Sequence, residues 1–207
     1  MSSEKPPNQC PETPGFWDQR FRSGVTPWEA GDAPIALREF ASAYEAATEA
    51  MPRVFIPGCG SAWDAAFLDR QGWDVTALDF STAAVEKAAT ILGDHWRGQL
   101  LCGDFFAFNA AQPFDVIYER AFLCALPRSF WPDYAARSAA LLRPGGLLAG
   151  NFFFSDDLKG PPFGILQQQL ENLLTPYFSH CEDRPVEDSL PVFAGRERWQ
   201  IWRRNET

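Results

Sequence analysis

Residues 54–60 read V-F-I-P-G-C-G, an apolar run that ends in a glycine turn. A second, mostly apolar run, residues 73–78, leads directly into Asp79. In a parallel α/β sheet, such glycines let the backbone approach a bound nucleoside, and a carboxylate about 20 residues later accepts hydrogen bonds from the ribose hydroxyls. The two runs therefore predict a parallel sheet, with the turn at residues 58–60 against the ligand and Asp79 at its ribose.

The turn differs from the fingerprint of dinucleotide-binding proteins. Trp63 stands where that fingerprint has a third small residue. A bulky side chain there argues against a helix packed tightly beneath a pyrophosphate. S-adenosylmethionine contains ribose and adenine but no phosphate, and it is therefore the cofactor that this turn favours.

Strand-like and helix-like segments alternate along the rest of the chain. The segments predicted as strands are residues 54–57, 74–78, 99–102, 114–118 and 147–154, and those predicted as helices are residues 16–23, 33–50, 62–71, 81–92, 129–142 and 164–177. Residues 181–203 are predicted to form two further strands joined through Gly195. Together they predict an α/β fold with a doubly wound, seven-stranded, Rossmann-like sheet that ends in an antiparallel hairpin. Ligands of such sheets bind at the carboxyl ends of the strands, so the residues after each strand form the candidate site.

The third predicted strand is followed by Asp104 and Phe105. A carboxylate at this position can accept a hydrogen bond from the exocyclic amine of adenine, and an aromatic ring can stack on the base. An aspartate in an ordinary turn beside core phenylalanines is the alternative. Phe80, which directly follows Asp79, belongs to the same set of candidates.

The fourth predicted strand is followed by Glu119 and Arg120. Two opposite charges at the end of a buried strand cost desolvation free energy unless they are paired or used by a ligand. One interpretation is an ion pair between the two; the other is that Arg120 faces the ligand as an anion-stabilising group. After the fifth strand, residues 155–163 form a polar, proline-containing loop of the kind that covers sites, although an ordinary crossover loop fits as well.

The composition limits the partners and the compartment. The formal net charge of −9 argues against nucleic acid or an anionic membrane as a partner, because phosphate binding needs a basic face. No hydrophobic stretch is long enough to span a bilayer. Five scattered cysteines without a C-x-x-C pair indicate neither a disulfide framework nor a metal site. We expect a cytoplasmic protein with a flexible tail at residues 1–14 and a single domain at residues 15–207.

Four segments together resemble the thiopurine S-methyltransferase superfamily, and most of all its halide/thiol methyltransferases of plants and bacteria. They are Phe16-Trp17 with G-V-T-P-W-E-A-G at residues 24–31, P-G-C-G at residues 57–60 with Asp64, F-D-V-I-Y-E-R-A-F at residues 114–122, and G-P-P-F at residues 160–163. The resemblance extends from Phe16 to Arg203. It implies a class I S-adenosylmethionine-dependent methyltransferase fold in which residues 15–32 form an N-terminal lid.

The resemblance also implies roles for individual residues. Trp17 would pack on the methionine part of the cofactor, Trp28 would close the site near the methyl group, and Phe21 would occupy a lid position where many members have tryptophan. Cofactor contacts are further implied for Gly58, Cys59, Gly60, Asp79, Phe80, Asp104, Phe105, Glu119 and Arg120, and substrate or lid contacts for Trp28, Pro161, Pro162 and Phe163. Arg120 is the candidate catalytic residue, beside both the cofactor and the acceptor.

We therefore predict methyl transfer from S-adenosylmethionine to a small soft nucleophile: a thiol, a thiopurine-like thiol, sulfide or a halide. Neither His95 nor His180 lies near the predicted strand ends, which suits an acceptor that needs no strong base. One alternative is an O- or N-methyltransferase of a small metabolite, with a base among Glu29, Asp32, Glu119, Asp156 and Asp157. Another is a non-catalytic S-adenosylmethionine-binding protein. The expected assembly is a monomer or a weak homo-oligomer with a small-molecule acceptor as its partner.

Overall fold

The computed structural model describes residues 10–206. Its helices are α1 (Pro14–Arg22), α2 (Ile35–Ala47), α3 (Trp63–Arg70), α4 (Thr82–Leu92), α5 (Trp131–Leu141) and α6 (Gln167–Leu174). Its strands are β1 (Arg53–Pro57), β2 (Asp74–Asp79), β3 (Gln99–Cys102), β4 (Phe114–Arg120), β5 (Leu142–Phe153), β6 (Phe178–Pro185) and β7 (Glu197–Arg204). Most of the tail predicted at residues 1–14 lies outside the described residues, so the tail and the domain bounds stay predictions.

The strands form one sheet in the order β3-β2-β1-β4-β5-β7-β6. Strands β1 to β5 run parallel, whereas β7 runs antiparallel to both β5 and β6. The predicted doubly wound α/β sheet with a terminal antiparallel hairpin is therefore confirmed. Pro57 at the end of β1 pairs with Leu78, and Asp79 at the end of β2 pairs with Cys102. The carboxyl ends of these strands consequently form one continuous edge.

The sheet is covered on both faces, which explains why its central strands are almost continuously apolar. One face packs against Leu37 and Phe40 of α2 and Leu68 of α3. The other face packs against Tyr134 of α5 and Leu170 of α6. Fully burying an aliphatic or phenyl side chain contributes about 1.5–3 kcal/mol. The two clusters fix the central strands, so the side chains at the carboxyl edge stand on a rigid base.

Helix α1 docks on α4 and thereby covers the carboxyl edge of the sheet. The side chain of Asp18 accepts hydrogen bonds from the Ser81 hydroxyl (2.7 Å) and from the Ala83 amide (3.0 Å) at the amino end of α4. The helix dipole favours a carboxylate at this end. Phe16 and Phe21 of α1 are buried. These contacts hold the N-terminal lid segment over the strand ends.

Several strand boundaries differ from the prediction, and those of β4 and β5 bear on the site. Strand β4 continues to Arg120, beyond the predicted end at residue 118, so the two charged residues belong to the strand. Strand β5 begins at Leu142 rather than at residue 147, because Leu142 pairs with Phe114 ahead of an irregularity in the register. Successive side chains of a strand point to opposite faces. Glu119 and Arg120 therefore diverge instead of facing each other.

Candidate functional site

A cavity of about 640 Å³ opens at the carboxyl edge of the sheet, between the strand ends and the N-terminal lid. This volume lies within the range of small-molecule sites, roughly 300–1,000 Å³. Most of the predicted site residues line it: Trp17, Phe21, Trp28, Gly58, Cys59, Gly60, Asp79, Phe80, Asp104, Phe105, Arg120, Pro161 and Pro162. The fold thus brings together residues that are spread over most of the chain.

The glycine turn after β1 is tightly fixed. Gly58 and Gly60 have φ values of +60° and +54°, in the left-handed region that favours glycine. A Cβ atom on Gly58 would overlap the ring of Phe122, so this position has no room for a side chain. The Gly60 amide donates to the Asp79 carboxylate at 2.9 Å. This hydrogen bond ties the turn to the end of β2.

Asp79, at the carboxyl end of β2, lines the cavity. Its Oδ2 accepts from the Gly60 amide and its Oδ1 accepts from the Ser81 amide, both at 2.9 Å. Burial raises the pKa of Asp79 from 3.8 to about 6, although the hydrogen bonds from Ser81 and Gly60 oppose the rise. The group is therefore largely ionised at pH 7, and its remaining lone pairs can accept from a ligand.

Glu29 links the lid to the glycine turn. Its Oε1 accepts from the Ser61 amide at 2.9 Å, and its Oε2 accepts from the Lys87 ammonium at 2.8 Å. Burial alone would raise the pKa of Glu29, but the hydrogen bonds from Lys87 and Ser61 outweigh it and lower the pKa. Sequence reasoning named this residue only as a candidate base. The structure instead makes it the charged contact that positions the loop carrying Trp28.

Three aromatic side chains form the lid wall of the cavity. Trp17 and Trp28 meet edge to face with their ring centroids 5.5 Å apart, and Phe21 meets Trp28 in the same way at 6.1 Å. The indole nitrogen of Trp17 donates to the Pro11 carbonyl at 2.8 Å. Each pair of this kind contributes about 0.5–1.5 kcal/mol beyond its buried area. The wall is therefore held by its own ring contacts as well as by Glu29.

The residues that follow β3 also line the cavity. Asp104 is exposed and accepts from the Phe106 amide at 2.9 Å, so it does sit in a turn, as the alternative interpretation held. It also lines the cavity, together with Phe105. The Phe105 ring is 4% exposed and meets the Phe122 ring edge to face at 5.2 Å. Phe105 is thus a core residue that also presents part of its surface to the cavity.

Arg120 pairs with Asp64 rather than with Glu119. The distance from Arg120 Nη1 to Asp64 Oδ1 is 3.7 Å, and Nη1 also lies 3.5 Å from the Asp32 carbonyl oxygen. Burial lowers the pKa of Arg120, but nearby anionic groups, Asp64 first among them, outweigh it and raise the pKa. The guanidinium is therefore a permanent cation at the cavity wall.

Two predicted site residues are placed behind the cavity wall instead of on it. The Glu119 carboxylate is 1% exposed and accepts from the amides of Phe122 (2.9 Å) and Leu123 (3.1 Å). Phe163 donates its amide to the Cys124 carbonyl at 2.6 Å, and its ring packs against the core. Strand alternation turns Glu119 away, and core packing draws Phe163 inward. Both residues support the site from behind and do not line it.

We expect the variant Glu119→Gln to become progressively more stable than the wild type as the pH rises from about 5 to about 8. Burial raises the pKa of Glu119 from 4.5 to about 7, against the hydrogen bonds from Leu123 and Phe122. A group whose pKa is raised on folding contributes stability that is present below about pH 4.5 and is lost as the pH rises through about 7. One pKa unit corresponds to about 1.4 kcal/mol, so the difference should grow by roughly 1–3 kcal/mol.

Urea unfolding at several pH values measures this difference. The matched control is Glu187→Gln, a substitution at an exposed glutamate, which should follow the wild-type pH dependence. The amide of the Glu119→Gln variant can still accept from the backbone, so the fold is retained. Parallel stability curves for Glu119→Gln and the wild type would contradict the expectation.

Several lining residues were not anticipated from the sequence. Cys124 lies in a short 3₁₀ turn after β4, and Val192 and Phe193 come from the connection between β6 and β7. Phe193 is 2% exposed and packs on Phe153, with their ring centroids 5.6 Å apart. The run L-P-V-F at residues 190–193, apolar within a loop, is the feature of the sequence that points to them.

The charged side chains that line the cavity are mostly acidic. They are Glu12, Glu29, Asp32, Asp64, Asp79 and Asp104, against Arg20 and Arg120. Such a lining favours a ligand that carries positive charge. No group of three or more His, Cys, Asp or Glu side chains within residues 10–206 is arranged to hold a metal ion. No helix over the same residues is long and apolar enough to cross a membrane.

The chain is similar to known methyltransferases over nearly its whole length. It is 29% identical to a probable thiol methyltransferase 2 of Arabidopsis thaliana, over 93% of this chain and 86% of that protein. It is 28% identical to thiocyanate methyltransferase 1 of Brassica oleracea, over 94% of this chain and 88% of that protein. Among solved structures, the fold is similar to that of 1,6-didemethyltoxoflavin-N1-methyltransferase of Burkholderia thailandensis, with S-adenosylhomocysteine bound. That match has a TM-score of 0.73 and 19% identity, and it covers 99% of this chain and 93% of that chain.

The sequence profile of one family, described as thiopurine S-methyltransferase, matches residues 12–206. The match includes the lid, the glycine turn and the terminal hairpin, and it confirms the resemblance identified from the four segments. S-adenosylmethionine is the cofactor of this family, and the acidic cavity and glycine turn fit it. The chain is a member of the thiopurine S-methyltransferase family and an S-adenosylmethionine-dependent methyltransferase.

Proposed function

We propose that this chain transfers the methyl group of S-adenosylmethionine to a small thiol or a comparably soft nucleophile at the Trp28 end of the cavity. The composition of that end carries the proposal. Trp28 packs in one cluster with Cys124, Val192 and Phe193, and the same cavity is also lined by Pro27, Arg120, Pro161 and Pro162. Arg120 is the only cation in this set, whose other members are mostly apolar, and the described residues of the cavity wall include no histidine.

The residues at the strand ends are suited to hold the cofactor. The turn at residues 58–60 lets the backbone approach it, and the Asp79 carboxylate has lone pairs left for the ribose hydroxyls. Asp104 and the partly accessible ring of Phe105, with Phe80 beside them, form the place for adenine. The sulfonium-bearing part then belongs between the lid wall and Arg120.

The protein contributes position, exclusion of water and charge to the reaction. The methyl group of the bound cofactor is already activated by its sulfonium. The faces of Trp17 and Trp28 can favour a cationic sulfur and keep water out. Alignment of donor and acceptor within the closed cavity supplies the largest part of the acceleration, since it replaces a bimolecular encounter. The cationic Arg120 draws an anionic acceptor or lowers the pKa of a thiol beside it.

A harder acceptor, such as a phenol or an amine, would need a base in the cavity. Of the carboxylates considered for that role, Glu29 is already engaged by Ser61 and Lys87, and Glu119 is bonded to backbone amides behind the wall. Asp156 and Asp157 do not line the cavity, and Asp32, which does, is paired with Arg38 at 2.6 Å. Few of these carboxylates are free to act as a general base, which supports an acceptor that loses its proton without one.

We also propose that the protein works in the cytoplasm as a monomer or a weak homo-oligomer, without nucleic acid as a partner. The net charge of −9 and the scattered cysteines support this.

Competition between matched acceptors tests the proposed function. We expect an aromatic thiol to be methylated at least tenfold faster than the phenol and the aniline with the same ring, at one pH and one cofactor concentration. The rate with the thiol should rise with pH until the thiol is ionised and then level off. Formation of S-adenosylhomocysteine is the common readout for all three acceptors. Faster transfer to the phenol or the aniline would overturn the acceptor class.

A further inference from the structure

Arg128 connects two segments of the cavity wall although it does not line the cavity itself. It directly follows residues 125–127, which do line the cavity. Its guanidinium contacts the loop at residues 155–163, of which Pro161 and Pro162 belong to the wall. The two wall segments follow different strands, β4 and β5. Arg128 is therefore placed to set the distance between them.

The guanidinium of Arg128 binds three backbone carbonyl oxygens. Its Nη1 donates to the carbonyl of Leu158 at 3.0 Å, and its Nη2 donates to those of Asp157 and Gly164, both at 2.7 Å. The first and third of these residues lie in the first half of the loop and just beyond its end, so one side chain bridges both limbs. A planar fork with five donors suits this task, whereas lysine offers a single ammonium on a flexible stem.

Arg128 itself stands on a fixed base. The central carbon of its guanidinium lies 5.4 Å from the centroid of the Trp131 ring, over its face. Trp131 is 7% exposed, and its indole nitrogen donates to the carbonyls of Leu123 (3.2 Å) and Leu126 (3.1 Å). The segment after β4, Trp131 and Arg128 thus form one connected unit, against which the loop is held.

Pro161 and Pro162 lie at the acceptor end of the cavity. They directly precede Phe163, whose amide donates to the Cys124 carbonyl at 2.6 Å. Cys124 packs in one hydrophobic cluster with Trp28. A shift of the loop would therefore change the width of the space proposed for the acceptor, and it would leave the strand ends proposed for the nucleoside in place.

Packing alone does not fix the middle of the loop, because residues 156–160 are all exposed. Other groups hold its ends. The Arg196 guanidinium donates to the Ser155 hydroxyl at 3.0 Å, and the Phe163 ring packs against the core. Between these ends, Arg128 ties the exposed part to the body of the protein. Removal of the guanidinium would consequently give the loop freedom to move outward.

We propose that Arg128 is a positioning residue that fixes the width of the acceptor end, and thereby the size of the acceptor that the enzyme favours. The inference rests on the acceptor site proposed above. With the guanidinium in place, the two prolines stand close to residues 125–127, and a narrow acceptor fits best. Without it, the space widens, so a narrow acceptor is held less well and a wide one is better accommodated.

Two thiols that differ by one ring test this role. Thiophenol and 2-naphthalenethiol have similar acidity, so the ratio of their kcat/KM values reports width. In Arg128→Ala, this ratio should shift toward the larger thiol by at least about fivefold, mainly through a higher KM for thiophenol. Arg128→Lys should lie between the two, because it keeps the charge without the fork. The affinity for S-adenosylhomocysteine, measured by calorimetry, should stay unchanged.

The control is Arg143→Ala, which removes the ion pair of Arg143 with Asp115 near the amino ends of β4 and β5, at the edge of the sheet away from the cavity. It should leave the ratio at the wild-type value. An equal loss of rate with both thiols in Arg128→Ala would show that Arg128 only stabilises the fold, and would overturn the inference. If the wild type prefers phenols or amines, the proposed acceptor class is wrong. Phenol with 2-naphthol, or aniline with 2-naphthylamine, then gives the same ratio test for Arg128.

Discussion

The variant Asp79→Ala should bind S-adenosylhomocysteine at least 100-fold more weakly than the wild type. In the wild type, the Asp79 carboxylate accepts hydrogen bonds from the amides of Gly60 and Ser81 and still has lone pairs left, and the residue lines the cavity. The substitution removes the acceptor for the ribose and also releases the glycine turn. Each lost hydrogen bond to a charged group costs about 1.5–3 kcal/mol, so two such bonds correspond to 100-fold or more.

Calorimetry measures the loss, and thermal unfolding shows whether the variant is folded. Stability should fall less than affinity, because burial already raises the pKa of Asp79 to about 6 and its removal relieves a desolvated charge. Asp104→Ala is the matched comparison at the next strand end. It should cost about tenfold, because Asp104 is exposed and has one amide partner in its own turn. An unchanged affinity in folded Asp79→Ala would remove this residue from the cofactor site.

The sequence was most informative where the topology leaves little freedom. Once β1 and β2 are assigned as neighbouring parallel strands, the residues after them must meet at one edge of the sheet. Gly58 and Asp79 were predicted on that ground, and the structure joins their segments through the hydrogen bond from Gly60 to Asp79. Positive φ values at Gly58 and Gly60 follow the same logic, because the sharp turn needs residues without a Cβ atom.

Side-chain direction was predicted less well. Glu119 and Arg120 are adjacent charged residues, and composition alone does not tell which of them faces the cavity. Which of the two faces the cavity depends on the extension of β4 to Arg120, because side chains alternate between the two faces of the sheet along the whole strand. In the same way, G-P-P-F marks a loop at the site, but only packing decides that Pro161 and Pro162 face the cavity while Phe163 turns to the core.

The sequence patterns did not predict contacts between residues that are far apart in the chain. Glu29 joins residues that are 32 and 58 positions away, Ser61 and Lys87. No local periodicity in the sequence links such positions, although Glu29 itself belongs to the T-P-W-E segment on which the family resemblance rests. Phe193 enters the cavity wall from the connection between β6 and β7, far along the chain from the other lining residues. The contacts of Glu29 and Phe193 can be found only from the three-dimensional structure, because the fold and not the spacing along the sequence determines which residues meet.

Gly58→Ala should be the most damaging single substitution at the site. A Cβ atom there would overlap the ring of Phe122, which is partly buried and packs against the core, and the φ of +60° disfavours any residue with a Cβ atom. The left-handed conformation costs an alanine about 1–2 kcal/mol, and overpacking costs about 1–3 kcal/mol. We expect a loss of roughly 3 kcal/mol in the free energy of unfolding. Cofactor affinity should fall more than 100-fold, because relief of the overlap displaces the turn.

Gly195→Ala separates the two causes, since Gly195 has a φ of +71° but has no atom within 4 Å of an added Cβ. It carries the same backbone cost without the overlap, so it should lose only about 1 kcal/mol and should leave binding of S-adenosylhomocysteine unchanged. Urea unfolding and calorimetry on both variants give the comparison. If Gly58→Ala lost only as much stability and affinity as Gly195→Ala, the close approach of Phe122 would contribute nothing to the free energy of unfolding. The turn would then be less rigid than its hydrogen bonds to β2 indicate. A larger effect at Gly58 means that core packing against Phe122 holds the backbone in the shape that receives the cofactor.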